Sequence, residues 1–381
     1  MSRRVIFYLI VATLVLHLYI GVRLVPPLSA IGGCLLGAWL VGSALMVPSP
    51  FLSRALRGKS LPDACSWVAY LMMGVFSSLL VLTFLRDIGL LFAYGISALL
   101  PASLAWQGAG HATALLVLAL TAAITLAGLF NARRLAKVVP VALPIAGLPD
   151  ALRGFTIVQI SDVHVGPTIK QGYVRAIVER VNALEPDLIA ITGDLVDGSV
   201  ARLRSHVAPL AQLSAKHGSF FVTGNHEYYS GADDWVAEFR RLGLIVLLNE
   251  HVVLEQGGER ILVAGVTDYN AHHHDPQRSS DAARAIAGAP LDVAMRLLLA
   301  HQPRSAPQAQ KAGFDVQLCG HTHGGQFWPW PLVVSLQQPF TSGLKRWQGL
   351  LVYTSRGTGY WGPPIRFGAP SEITRLKLVA A

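Results

Sequence analysis

Gly320-His321-Thr322-His323-Gly324-Gly325 sets two imidazoles one residue apart among glycines, directly after the apolar stretch 316–319. A short strand ending in such a loop presents nitrogen donors on a backbone free to turn sharply. Working outward, four more segments have the same form: Asp162-Val163-His164, Gly193-Asp194-Leu195-Val196-Asp197-Gly198, Gly224-Asn225-His226-Glu227 and Ala300-His301-Gln302-Pro303. One such segment arises easily by chance. Five in this order imply one site that holds two metal ions. Gly193, Gly224 and Gly320 each precede a ligand loop, where a missing side chain lets the backbone approach the metals.

The surrounding pattern alternates short apolar runs with helical stretches. Strands are expected at 155–160, 188–192, 220–223, 261–266, 296–300, 316–319 and 350–354, and helices at 173–184, near 207–215 and at 234–242. Every ligand segment follows a strand. Loops at the carboxyl ends of strands are where α/β enzymes carry their chemistry.

The amino-terminal part is different. Of 381 residues, 52% are hydrophobic and only 14% charged, and the apolar excess lies in residues 1–150. Ten Lys or Arg and three acids fall there, so most of the formal charge of +9 flanks apolar segments rather than forming a nucleic-acid footprint. About 20 apolar residues span a bilayer, and residues 5–25, 28–47, 64–85 and 112–130 come close to that length. Residues 88–106, preceded by Arg86 and Asp87 and interrupted by Pro101, read as a separate re-entrant or interfacial segment. Positive charge gathers at Arg3 and Arg4, at Arg54, Arg57 and Lys59, and at Arg133, Arg134 and Lys137. By the positive-inside rule the amino terminus and everything after residue 130 are then cytoplasmic, with the chain in the cell inner membrane. The expected organisation is a multi-pass membrane domain over 1–137, a linker over 138–152 and a catalytic domain over 153–381. Small residues at Gly33, Gly37, Ala38 and Gly42 suit close helix packing, and His17 is expected to pack or snorkel.

The segments SDVHVGP, TGDLVDG, TGNHEYYSGA, LAHQP, GHTHGGQ and SRGTGYWGPP resemble the calcineurin-like metallophosphoesterase superfamily, in particular its bacterial membrane-bound branch. The resemblance covers residues from about 155 to 374. It implies a four-layer α/β/β/α sandwich of two mixed sheets. It also implies that Asp162, His164, Asp194 and His323 bind one metal, and that Asp194, Asn225, His301 and His321 bind the other, with Asp194 bridging. Such a mixed oxygen and nitrogen set suits Mn, Fe or Zn. Two divalent ions about 3.5–4 Å apart clamp a phosphoryl group and activate water. The family pattern sets His226 over the substrate, oriented by Asp197, and gives the adjacent Glu227 a supporting role.

Arg356 and Arg366 flank GTGYWGPP and are candidates for holding a substrate phosphate, with a salt-bridged strand end as the equal alternative. Phe327, Trp328, Trp330 and Trp361 offer an apolar wall for a lipid chain, a contact with the bilayer surface or ordinary core packing. His272-His273-His274-Asp275 reads as a solvated loop before a further metal site, His217 and His251 read as surface residues, and Cys319 as a small buried thiol. The resemblance points to hydrolysis of a phosphodiester or pyrophosphate in a phosphorylated lipid or nucleotide-lipid such as UDP-2,3-diacylglucosamine of lipid A synthesis. It involves no nucleic acid and no obligate protein partner. A phosphomonoesterase is the alternative enzyme, although protein-serine/threonine phosphatases carry an arginine where Gly198 follows Asp197 here. A non-catalytic membrane sensor is the alternative of another class.

Overall fold

The computed structural model describes residues 3–57, 61–99 and 109–381. The chain divides into two compact units, residues 1–130 with 362–365, and residues 131–361 with 366–381.

The first unit contains α1 (Arg3–Leu24), α2 (Ala30–Met46), α3 (Ser49–Arg57), α4 (Asp63–Leu99) and most of α5 (Ala109–Arg133). Among the described residues, Arg4–Leu24, Ala30–Ser53, Asp63–Ser97 and Ala109–Arg133 are long and apolar enough to cross a membrane. Ile20, Leu24, Leu36, Leu40, Leu79, Ala114 and Val117 form the buried cluster between them. Of the four small residues, Gly33 lies on the buried face close to Val25, while the space beside Gly37 and Gly42 is open and Ala38 is exposed.

A difference concerns Arg86 and Asp87, where a break was expected. α4 instead runs unbroken for 37 residues, taking the stretch from Ile88 into the same helix. The charges do not end the helix because they find partners. Arg23 donates to both oxygens of Asp87 at 2.7 and 3.0 Å, and the Tyr19 hydroxyl donates to the same carboxylate at 2.7 Å. Arg86 donates to the Thr113 hydroxyl at 3.0 Å and the Gly110 carbonyl at 3.2 Å. Pro101 and Trp106, which suggested a separate segment, lie outside the described residues, as does Lys59. His17 packs as expected. Its Nδ1 donates to the Thr13 carbonyl at 2.7 Å, which leaves Nε2 to accept from the Ser43 hydroxyl at 3.0 Å.

The second unit runs, in chain order, β1 (Lys137–Ile145), β2 (Thr156–Ile160), α6 (Gln171–Asn182), β3 (Leu188–Ile191), α7 (Val200–Val207), β4 (Ser219–Phe221), α8 (Asn225–Ser230), α9 (Ala232–Arg241), β5 (Ile245–Val246), β6 (Glu250–Gln256), β7 (Glu259–Gly265), α10 (Ala282–Ile286), β8 (Met295–Leu299), α11 (Ala306–Lys311), β9 (Val316–Cys319), α12 (Trp330–Val334), β10 (Gly343–Trp347), β11 (Leu350–Thr354) and β12 (Glu372–Ala380). One sheet has the order β1-β12-β2-β3-β4-β5 and the other β10-β11-β9-β8-β7-β6, with six strands in each. β2 through β5 are parallel, as are β7, β8, β9 and β11.

Alternation along the strands builds the layers. Ile157, Leu188, Ala190 and Phe220 of the first sheet meet Ile261, Val263, Leu297 and Leu318 of the second in one buried cluster. Their neighbours Val158, Ile189, Ile191 and Phe221 point the other way, onto Val174, Ile177 and Val181 of α6, Leu203 of α7 and Trp235 and Phe239 of α9. On the far face of the second sheet, Leu262, Leu298 and Val352 pack against Ala282, Ala285, Ala306 and Ala309 of α10 and α11. Each fully buried Val, Leu, Ile or Phe among them contributes about 1.5–3 kcal/mol. Together they make the α/β/β/α sandwich.

Two local expectations give way. Residues 138–152 are not a bare linker, because Lys137–Ile145 is the edge strand β1, paired in parallel with β12. Pro140 and Pro144 lack the amide donor, which an edge strand tolerates. The helix expected near 207–215 starts earlier, at Val200, and gives way to a 3-10 turn over Ala208–Gln212 in which Pro209 sits at the start.

Candidate metal centre

All five ligand segments leave carboxyl ends of parallel strands: β2 into Asp162 and His164, β3 into Asp194 and Asp197, β4 into Asn225 and His226, β8 into His301, and β9 into His321 and His323. Backbone and side-chain bonds tie the two sheets together there. His301 Nδ1 donates to the Thr192 carbonyl at 2.8 Å, and the His321 amide donates to Asp162 at 3.0 Å. The fold demands unusual backbone at these points. Asp162, His164, Asp194, His321 and His323 all have φ between 51° and 71°, a region that costs a side-chain-bearing residue on the order of 1–2 kcal/mol. Two glycines are required by contact: a Cβ on Gly224 would lie 2.2 Å from Asp194 Oδ1, and one on Gly320 would lie 2.1 Å from Ser161 Oγ.

The donor atoms fall into two groups that share one carboxylate. Two donors at right angles on one ion, each about 2.1 Å from it, lie about 3.0 Å apart, and donors spread to wider angles lie about 3.4–3.7 Å apart. His301 Nε2 is 3.1 Å from Asp194 Oδ2, 3.2 Å from Asn225 Oδ1 and 3.1 Å from His321 Nδ1. In the other group His164 Nε2 is 3.0 Å from His323 Nε2 and 3.8 Å from Asp194 Oδ2, while His323 Nε2 is 3.6 Å from Asp162 Oδ1. Since Thr192 takes the Nδ1 proton of His301, its Nε2 lone pair faces the group. These spacings suit two cations bridged by Asp194, and the residues that resemblance nominated are the ones brought together.

The electrostatics ask for positive charge. Asp162, Asp194, Glu227 and Asp268 are all buried, and the buried Arg366 guanidinium lies against His323. Burial pushes Asp162 and Asp268 above the ordinary carboxyl range. For Asp194 burial acts the same way, but the imidazoles of His301, His226 and His164 outweigh it and hold the carboxyl well below that range. Burial opposes a charged His301, yet Asp194 and Asp162 raise it well above its usual value, so the position draws a proton or another cation. His321 is lowered to about 3 by burial and the His301 charge, and His323 is lowered by burial and Arg366. Both are therefore neutral, the form that ligates.

His226 stands beside this centre. Its Nδ1 is 2.5 Å from Asp197 Oδ1, its amide donates to Asp194 Oδ1 at 2.9 Å, and its Nε2 remains directed toward the groups, 4.0 Å from Asp194 Oδ2. Burial lowers its pKa, but Asp194 and Asp197 raise it to about 9. Asp197 does more than expected, for His164 Nδ1 also lies 3.3 Å from it. Glu227 supports the bridge: its carboxylate accepts from the amides of Asp194, Leu195 and Gly224 at 3.0, 2.8 and 2.7 Å.

Arg366 is a correction. Its side chain is buried and turned inward, where it donates to the carbonyls of His323, Ala369 and Gly359, with its Nη2 3.0 Å from His323 Nδ1. A guanidinium so engaged is not free to clasp a substrate phosphate. Arg356 donates to Glu372 at 3.3 Å and keeps its side chain partly exposed. His272, His273 and His274 are exposed, and His274 lies against Tyr228 and Tyr229, the second of which lies 5.3 Å from His226. His217 and His251 are half-buried rather than superficial, bonded to Gln256 and to the Ala285 carbonyl. Cys319 is buried, with its thiol pushed up to about 12 by burial.

Sequence reading missed Asp268, which accepts from Gln302 Nε2 at 2.9 Å and the Asn270 amide at 2.8 Å beneath His301. Its signal was present, an aspartate just beyond a parallel strand, here β7, at the same sheet edge as the ligands.

Comparison with known proteins fits this geometry. The calcineurin-like phosphoesterase family profile matches residues 155–325. A transmembrane protein with metallophosphoesterase domain from Danio rerio is 39% identical over 274 residues, covering 70% of this chain and 62% of that protein. An uncharacterized metallophosphoesterase of Helicobacter pylori (strain J99 / ATCC 700824) is 39% identical over 228 residues, covering 58% of this chain and 59% of its own length. Another from Aquifex aeolicus (strain VF5) is 31% identical over 219 residues, covering 57% of this chain and 82% of its own. The match thus takes in less than two thirds of the first two relatives.

Proposed function

Because this chain belongs to the calcineurin-like metallophosphoesterase family, a metal-dependent phosphoesterase joined to candidate membrane spans, we propose that it hydrolyses a phosphodiester or pyrophosphate bond of a lipid-linked or nucleotide-linked substrate. The single observation that carries the reading is the sharing of Asp194 between two donor groups, 3.1 Å from His301 Nε2 and 3.8 Å from His164 Nε2.

When bound, the two cations polarise the phosphoryl group and make water a better nucleophile. Asp162, His164, Asp194 and His323 would hold one, and Asp194, Asn225, His301 and His321 the other. Asp197 accepts from His226 Nδ1, which fixes the tautomer and leaves Nε2 to hold a proton for the departing oxygen. Glu227 keeps the Asp194 loop in its left-handed turn by occupying the amides of Asp194 and Leu195. Arg356, on the loop after β11, is the cation that remains for a substrate phosphate.

A lipid-linked substrate suits an enzyme joined to membrane spans, since tethering raises the local concentration of anything in the same leaflet. The narrower reading, a UDP-2,3-diacylglucosamine-type pyrophosphate of lipid A synthesis, gains no support from the relatives above, whose names give no substrate. The clusters at Arg3 and Arg4 and at Arg133, Arg134 and Lys137 support a cytoplasmic catalytic side, with the four candidate spans returning the chain to the side where it began.

The test uses the whole detergent-solubilised chain, because β1 begins at Lys137 and a shorter piece risks losing an edge strand. Bis(p-nitrophenyl) phosphate should be cleaved with added Mn²⁺, Fe²⁺ or Zn²⁺ and not in chelator. A panel of lipid pyrophosphates and phosphodiesters should then contain a better substrate. Activity that survives complete metal removal, or a panel cleaved no better than free phosphomonoesters, would contradict the proposal.

A further inference from the structure

From Val316 to Ser371 the sequence contains no Asp or Glu, and it carries Lys345, Arg346, Arg356 and Arg366 together with Trp328, Trp330, Trp347 and Trp361. Half of the eight tryptophans of the chain lie in this one stretch. Within it, Leu332 is 65% exposed and Leu336 84%, and Trp328, Trp330 and Val333 are each at least 40% exposed. Neighbouring apolar side chains are seldom left bare together without a purpose.

The segment is not loose chain. At one end Phe327 is buried and the Trp328 amide donates to the Phe367 carbonyl at 3.0 Å. At the other, Arg304 Nε donates to the Gln337 carbonyl at 2.7 Å, and Gln338 Nε2 donates to Gln302 Oε1 at 3.3 Å. Between them, the amides of Leu332 and Leu336 close one helical turn after another onto Pro329 and Val333, which holds the leucines outward. The mount is continuous with the metal centre. Gln326, three residues beyond His323, binds the Trp361 backbone through both ends of its amide at 2.9 Å, and the Trp361 ring lies 5.7 Å from that of His226.

We propose that residues 328–336, with Trp361, form a platform that inserts into the interface of an anionic lipid leaflet and seats the metal centre at headgroup level. Tryptophan and leucine flanked by lysine and arginine, without carboxylates, is the composition of a membrane-surface contact. Arg304 is exposed and bonded to the Gln337 carbonyl at the end of the platform, where it meets anionic headgroups with complementary charge. A second copy of this chain, at a formal +9, would bring like charge to the same face. The platform is a physical route by which a substrate anchored in a leaflet reaches His226 without leaving it.

The test places the environment-sensitive fluorophore NBD on the full chain in a Cys34→Ala, Cys65→Ala background, which leaves the buried Cys319 alone. Label at Leu336→Cys, and separately at Leu332→Cys, is read in vesicles of phosphatidylglycerol and phosphatidylcholine. Leu291→Cys, at a lone exposed leucine, gives the aqueous reference. Emission at 336 and 332 should shift to the blue and be largely quenched by doxyl-labelled lipid, while aqueous iodide quenches only the reference. Iodide quenching at 336 and 332 equal to that at the reference would overturn the proposal. So would protection from both quenchers, which means that protein covers the patch. An unchanged melting transition shows that each labelled chain is folded. Because the label reports insertion and not turnover, failure here leaves the phosphoesterase reading standing, and failure of that reading leaves this one testable.

Discussion

The two units of this protein bury polar groups on opposite principles. In the membrane unit the ionisable groups Asp87, Arg86 and His17 are answered from within: Asp87 by Arg23 and Tyr19, Arg86 by Thr113 and Gly110, His17 by Thr13 and Ser43. In the catalytic unit Asp162, Asp194, Glu227 and Asp268 are all buried, and burial holds Asp162, Glu227 and Asp268 above the ordinary carboxyl range despite their hydrogen bonds. Uncompensated buried carboxylates cost several kcal/mol apiece unless a cation joins them. The difference separates a satisfied scaffold from a site built to receive a ligand, and it is open to attack from both sides.

The largest effect is expected at the bridge. Asp194→Asn should lower kcat/KM on the order of a thousandfold or more, while in chelator it is Asp162→Asn whose melting temperature should equal or exceed that of the parent, because burial and the neighbouring Asp194 hold that carboxyl above its ordinary range. A clear loss of stability in chelator would mean that the cluster is internally balanced. Next, His226→Ala should lower kcat about a hundredfold with metal content unchanged. Loss of metal in that variant would make His226 a ligand and the two groups less separate than they look.

Arg366→Met removes a buried guanidinium that serves three carbonyls. It should cost about 2 kcal/mol of stability in denaturant titration, with KM for a phosphodiester little changed. A large rise in KM with intact stability would restore the substrate role that its inward turn denies. The smallest effect belongs to the scaffold. Asp87→Asn should cost about 1 kcal/mol of thermal stability in detergent and leave kcat within about twofold; a change in metal affinity would dissolve the contrast between the units.

Sequence made the catalytic centre legible to an unusual depth because each ligand sits beyond a run of apolar residues, so motif and strand end coincide. The bridging role of Asp194 and the pairing of Asp197 with His226 came from resemblance and have the required proximity in the fold. What escaped notice depended on partners distant in the chain. β1 is defined by its pairing with β12, more than two hundred residues away. The continuity of α4 through Arg86 and Asp87 depends on Arg23 and Thr113 on other helices. Arg366 sat in a motif that suggested a phosphate clamp, and only packing revealed that His323 and Gly359 had claimed it. Asp268 lay at a strand end like the ligands, but without a histidine neighbour it carried no recognisable spelling.

The most direct measurement is the metal content of the purified full chain, by mass spectrometry and by magnetic resonance after loading with Mn²⁺. Two ions per chain with a spin-coupled signal are expected in the parent, and Asp194→Ala should lose that coupling together with most of the bound metal. A parent that holds a single uncoupled ion, or an Asp194→Ala chain that keeps a coupled pair, would contradict a bridged dinuclear centre.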